Sequence, residues 1–279
     1  MERSVNRFKK LLPSVRLCVL RNLPKLALAE LLTALISAFA FFIFIAPFNI
    51  NQSIQLSFQT VAPLFISLLL SLVISYLLQY GCLVLADLLY TGRYAVIGHL
   101  FTGFRDFKRG VRTALFFMLT YIFALFSASA LGWAVSTFFS DSLHLDLLLA
   151  VTIICVFLTL AVLYLRWGFV WFVLYDDPSL SVRQALRKSA LLTKKKRIAF
   201  VLFCVQSGGL YLLCAALVLI FLLAQSLFDF SAISSPLDAF LRMLYMLCLY
   251  MTLIRLRIAF AAVYEAERQK DAASLPENT

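Results

Sequence analysis

The sequence predicts an all-α polytopic membrane helix bundle: six transmembrane helices paired as three hairpins, introduced by basic interfacial amphipathic segments, with both termini cytoplasmic. Three observations predict it. The 279 residues are 63% hydrophobic and 14% charged, with a mean hydropathy of +0.93, whereas soluble domains sit nearer about half apolar and a quarter charged. Apolar stretches of bilayer length recur six times. Lysine and arginine collect in alternate connections.

A bilayer core takes about 20 apolar residues of helix, and stretches of that size run roughly over 26–46, 59–86, 113–139, 147–175, 198–225 and 238–263. Barrel strands would instead alternate over segments of about ten residues, a pattern the sequence lacks. Ahead of the first stretch lie Pro13, Pro24 and seven cations, and the Ala-x-Ala at Ala38–Ala40 leads into FFIFIAP rather than a polar mature start. A cleaved signal peptide is therefore not expected. The expected organisation is a basic amphipathic segment over 1–25, a membrane domain over 26–263 and a short polar tail over 264–279, without a soluble domain.

Orientation follows from the cations. Seven stand before the first span, five in the connection at 88–112 (Arg93, Arg105, Lys108, Arg109 and Arg112) and seven in that at 176–197. The connections near 47–58, 140–146 and 226–237 carry none, but hold Asp141, Asp146 and Asp229. In this setting the net charge of +11 points to anionic lipid heads, which attract each surface cation by about 1 kcal/mol. Nucleic acid is not an expected partner. Headgroup contact is expected of Lys108, Arg109, Arg112 and the run Lys194, Lys195, Lys196 and Arg197.

Chemistry-bearing motifs are sparse. The six cysteines form no C-x-x-C pair and read as small buried residues. His99 and His144 fall on opposite sides of the membrane, so neither a metal site nor a cofactor is expected. No catalytic residue is assigned, because the spans offer no histidine and no acidic pair near the midplane.

Three segments resemble one another: VRLCVLRNLPKLALAELL from Val15, FTGFRDFKRGVRTALFF from Phe101 and RKSALLTKKKRIAFVLF from Arg187. The last two are about 86 residues apart, one hairpin's length. Shared ancestry and the demands of positive-inside topology both account for the likeness. Within Ser181–Thr193, Val182, Ala185, Leu186, Ser189 and Ala190 share one helical face, with Arg183, Arg187 and Lys188 elsewhere. That pattern suits an interfacial helix with an N-cap at Ser179 or Ser181. It reads as a topological anchor or as a lipid-sensing or partner-docking helix.

The passage LRWGFVWFVLYDDPSLSVRQALRKSALLTKKKRIAFVLF resembles the signature region of a bacterial membrane family, domain of unknown function 975. Asp177, Pro178, Ala185, Leu186, Ser189 and Leu192 carry the likeness, and LFTGFRDFKRGVR and AFAAVYEAER extend it. Lysines stand where that family's basic turn usually carries a glycine. The resemblance implies topology and a bacterial cytoplasmic membrane, and no activity. More loosely, the chain is similar to the membrane domain fused to some glycerophosphodiester phosphodiesterases.

Polar groups inside spans are costly and default to functional readings. Gln79, Arg166, Gln206 and Arg255 each fall eight to ten residues inside the cytoplasmic end of a span, about 12–15 Å of helical rise. With Arg257 one level lower, they form one candidate layer. On one reading they converge in a cationic cavity for a phosphate or carboxylate, which guanidinium forks bind bidentately. On the other, the arginines snorkel to the interface. Glu30 is expected to face headgroup cations or a neighbouring helix. Ala128 with Gly132, and Cys204 with Gly208, are small pairs that permit close helix approach. The function these features suggest is non-enzymatic binding of membrane lipid or of a protein partner, a second copy included. The alternative is a transporter or channel for a small anionic or amphipathic solute.

Overall fold

A computed structural model describes residues 2–45, 58–138, 165–194, 196–227 and 235–274. Among these residues the chain is helical, with turns and no strand. The helices are α1 (Glu2–Lys9), α2 (Leu12–Ile45), α3 (Phe58–Tyr90), α4 (Thr102–Arg105), α5 (Phe107–Phe138), α6 (Val170–Asp176), α7 (Val182–Thr193), α8 (Arg197–Leu227) and α9 (Ser235–Ser274). A 3-10 turn at Ile97–Phe101 precedes α4. Among the described residues, four helices are long and apolar enough to cross a membrane, over Asn6–Ile43, Ile66–Tyr90, Arg197–Val218 and Ala239–Lys270. The third expected span falls in α5, and most of the fourth, 147–164, lies outside the described residues, as do Cys155 and His144. The cysteines at 18, 82, 204, 214 and 248 are free thiols. Helices α2 and α9 run unbroken through residues 25–26 and 263–264, where the sequence suggested domain boundaries.

The core does not lie midway along the long helices. It gathers at the end where the cations are, from Val15, Val19 and Leu26 of α2, Leu77 to Leu88 of α3 apart from Gln79, Val170 to Leu174 of α6, Phe200 and Phe203 of α8, and Ile258 to Tyr264 of α9. Aromatic rings join these elements. Phe169 lies 5.3 Å from Phe200 and 5.8 Å from Phe260 between ring centroids, Tyr80 stacks on Trp171 at 4.8 Å, and Phe8 brings α1 to Phe203 at 5.9 Å. Toward the opposite end, Leu35, Phe39 and Phe42 of α2, Leu210 and Leu213 of α8, and Met243 and Leu247 of α9 are exposed. So much bare apolar surface suits hydrocarbon rather than water.

The connection after α3 packs where a loop was expected. Gly92 takes φ of 71°, the left-handed conformation that ends helices, and the Arg93 amide reaches back to the Leu88 carbonyl at 2.9 Å. The chain then doubles back along α3 until the backbone of Leu100 meets Gly81 and Gly103 meets the Leu77 carbonyl. Leu77 is thirteen residues before Tyr90, about 20 Å back along the helix. Residues 97–110 thus form a wedge against α3.

Burying a charge is costly unless it is paired; at the basic end Glu267 and Asp176 have cationic partners, whereas one carboxylate oxygen of the buried Asp87 has no hydrogen-bond partner. Glu267, whose side chain is 3% exposed, takes Lys196 and Arg7, and Arg7 also donates to the Ala266 carbonyl at 2.7 Å. Asp176 accepts from the Tyr264 hydroxyl at 2.6 Å and from Arg268 at 3.0 Å. Both described chain ends therefore meet at one end of the bundle.

Candidate functional site

Around residues 165–197 the backbone breaks and re-forms. The chain is helical over Leu165–Trp167, turns at Gly168 and Phe169, and resumes as α6. A break strands carbonyls that a continuous helix would bond. Here the Arg166 carbonyl accepts from the Ser189 hydroxyl at 3.2 Å and from that of Thr193 at 3.5 Å, so α7 closes the gap. The far end of α6 is capped by Arg109 of α5, which donates to the Leu174 carbonyl at 2.7 Å and to that of Pro178.

The sequence sets the course of α7. Asp177 Oδ1 accepts from both the amide and the hydroxyl of Ser179, which fixes the turn after Pro178. Those hydrogen bonds hold the exposed Asp177 carboxyl below the usual aspartate range. Ser181 then caps α7: Gln184 accepts from the Ser181 amide at 2.9 Å, while the Ser181 hydroxyl accepts from the Gln184 amide at 3.4 Å, a reciprocal capping box. Val182, Ala185, Leu186, Ser189 and Thr193 are buried, whereas Arg183, Arg187 and Lys188 are exposed. The face expected from the pattern is the face that packs, with Thr193 added and Ala190 half-buried.

On the outer side of this junction lies a groove of about 520 Å³. Its cations are Arg166, Arg183, Arg187, Lys194 and Arg197, and its apolar wall is Phe116, Trp167, Leu186 and Leu191. The Arg166 guanidinium rests over the Trp167 ring, 5.6 Å from its centroid. The Nε of Arg197 is buried without a hydrogen-bond partner. The described lining contains no carboxylate, so nothing in it neutralises the five positive charges. The groove can hold an anion joined to an apolar body.

Of the five residues read as one layer, only Arg166 lines this groove. Arg255 donates to the Ser207 carbonyl at 3.2 Å and to the Tyr211 hydroxyl at 3.3 Å, with its guanidinium over that ring. Arg257 pairs with Glu30 of α2 at 2.8 Å. Gln79 and Gln206 are exposed. The arginines part company for a helical reason: residues two apart point about 200° from each other, so Arg255 faces α8 while Arg257 faces α2. Among the expected headgroup cations, Lys194 and Arg197 line the groove, Lys108 and Arg112 are exposed, and Lys196 and Arg109 are committed to partners inside the fold. Lys195 lies outside the described residues. Sequence reasoning missed Arg183 and Arg187 as site residues. The signal existed, since Arg183, Arg187 and Lys194 recur at intervals of four and seven, which place them on one helical strip.

No family model, curated protein or solved structure matches this chain. The reading of the groove rests on its own chemistry. Among the described residues no group of three or more metal-ligating side chains is assembled.

Proposed function

We propose that this is a six-span protein of the bacterial cytoplasmic membrane, with both termini inside, that binds an anionic lipid in the groove without catalysing a reaction on it. One observation carries the reading: five cations without a carboxylate border an apolar wall at a helix break. A charge-rich pocket beside exposed hydrocarbon-facing helices suits a lipid head whose chains stay in the bilayer. The positive-inside distribution supports the orientation. The family resemblance supports the bacterial setting.

Native mass spectrometry of the protein released from native-lipid nanodiscs tests binding. A stoichiometric anionic lipid is expected, with retention reduced about tenfold or more when Arg166→Gln and Arg187→Gln are combined, since each surface cation contributes about 1 kcal/mol. Identical adducts on the wild type and this variant would remove the groove from consideration. Topology has its own test. Single cysteines introduced at Gln52 and Ser231 are expected to react with an impermeant thiol reagent in intact cells, above the background of the native thiols, and one at Lys188 only after permeabilisation. Reaction of the Lys188→Cys variant from outside would overturn the orientation.

A further inference from the structure

The groove's cations are spread too widely for one phosphate. Arg183 and Arg187 stand one turn apart on α7, about 6 Å along its axis, and Lys194 caps the far end of the same helix. Lys194 continues into Arg197, the first residue of α8, and Arg166 meets them from the break. Along the chain the groove thus has two cationic ends, Arg183 with Arg187 and Lys194 with Arg197, with Leu191 between them. A single phosphodiester carries one negative charge and can sit at only one end. Two phosphates joined by a short bridge can occupy both.

The surface beyond the groove indicates an apolar anchor. From Phe116 an exposed apolar stripe continues through Leu119, Phe123 and Phe126 of α5, spaced three, four and three residues apart. From Arg197 another runs through Ile198, Leu202 and Val205 of α8. Residues so spaced share one helix face. Both stripes leave the cationic end and run along helices toward the apolar end of the bundle. Acyl chains of a lipid seated in the groove would lie against them.

Resting on the lipid-binding reading above, we infer that the groove selects a lipid whose headgroup carries two bridged phosphates, with its chains along the α5 and α8 stripes. The test is competition in nanodiscs of phosphatidylcholine doped with phosphatidylglycerol, which has one phosphate, and diphosphatidylglycerol, which has two, matched for total phosphate and read by native mass spectrometry. At least about tenfold preferential retention of the two-phosphate lipid is expected. Arg183→Gln combined with Arg187→Gln is expected to abolish the preference, so that the two lipids are retained equally, and the matching Arg→Lys pair to keep more than half of it. Equal retention of both lipids by the wild type would overturn this selectivity and leave anionic-lipid binding standing. Retention of neither would overturn both readings. Displacement of the two-phosphate lipid by equimolar inorganic diphosphate would overturn the lipid anchor and assign the groove to a soluble ligand.

Discussion

Replacing Gly81 with alanine is expected to collapse the packing of the basic end. A methyl group there would sit 1.8 Å from the carbonyl oxygen of Leu100, 2.3 Å from its carbonyl carbon and 2.6 Å from its Cα. All three are backbone atoms, so no rotamer change relieves the clash; the wedge over residues 97–110 must lift from α3. Overpacking that side chains can absorb costs about 1–3 kcal/mol, and displacing this wedge also uncovers Leu100, which is fully buried. A loss of at least about 3 kcal/mol follows, a fall in Tm of roughly 6–12 °C for a chain of this size. Thermal unfolding in detergent measures it, with Gly208→Ala as the control. At Gly208 the nearest atoms, from Thr252 and Leu256, lie 3.6–3.7 Å from the added methyl, so alanine fits and gains up to about 1 kcal/mol of helix propensity. Equal melting of the two variants would show that the wedge does not pack against Gly81 as described.

Breaking the ion pair between Glu30 and Arg257 should have the other large effect. The two side chains are 7% and 12% exposed and join α2 to α9. Removing one member of a buried pair leaves an uncompensated charge and costs about 3–5 kcal/mol, while replacing both with apolar groups is often neutral. One Nη of Arg257 already lacks a hydrogen-bond partner, so losing Glu30 strips the guanidinium of its described carboxylate. Glu30→Leu and Arg257→Met are each expected to lower stability by several kcal/mol, and the double variant to return within about 1 kcal/mol of the wild type. A double-mutant cycle on thermal or denaturant unfolding checks this. Additive losses would mean that the two side chains act independently.

Local features were legible in the sequence because they depend on neighbours along the chain. Hydropathy gave the four shown membrane-length helices, the Ser181 cap was one of two residues proposed, and the buried face of α7 followed from spacing. What was not legible depends on which helix faces which. Arg166, Arg255 and Arg257 lie at similar offsets from their span ends, yet helical phase sends the last two toward different neighbours. Offset along a helix says nothing of azimuth. The small pair Cys204 and Gly208 drew attention as a site of close approach, but the tightest contacts lie at Gly81 and Gly103. Neither glycine stands in a recognisable motif, because the constraint comes from a backbone roughly twenty residues away in sequence. The groove needed both kinds of information: its cationic strip was present in the spacing of α7, and its apolar wall is completed by Phe116 of α5 and Trp167 at the helix break.

The clasp of Arg7 and Lys196 on Glu267 also bears on how the protein is made. Its three residues come from α1, from the turn before α8 and from α9, so they are synthesised far apart in time. The strip from Ile258 to Tyr264, central to the core, leaves the ribosome after the helices it covers. Until it does, α2, α3 and α6 lack the part of their packing that α9 supplies, and Arg7 lacks its carboxylate. Early helices must therefore wait, partly assembled, for the closing one. Non-local contacts of this kind slow folding and prolong exposure. A nascent chain halted before Ile258 lacks this closing strip and is expected to be cut by a protease more readily than the 279-residue chain.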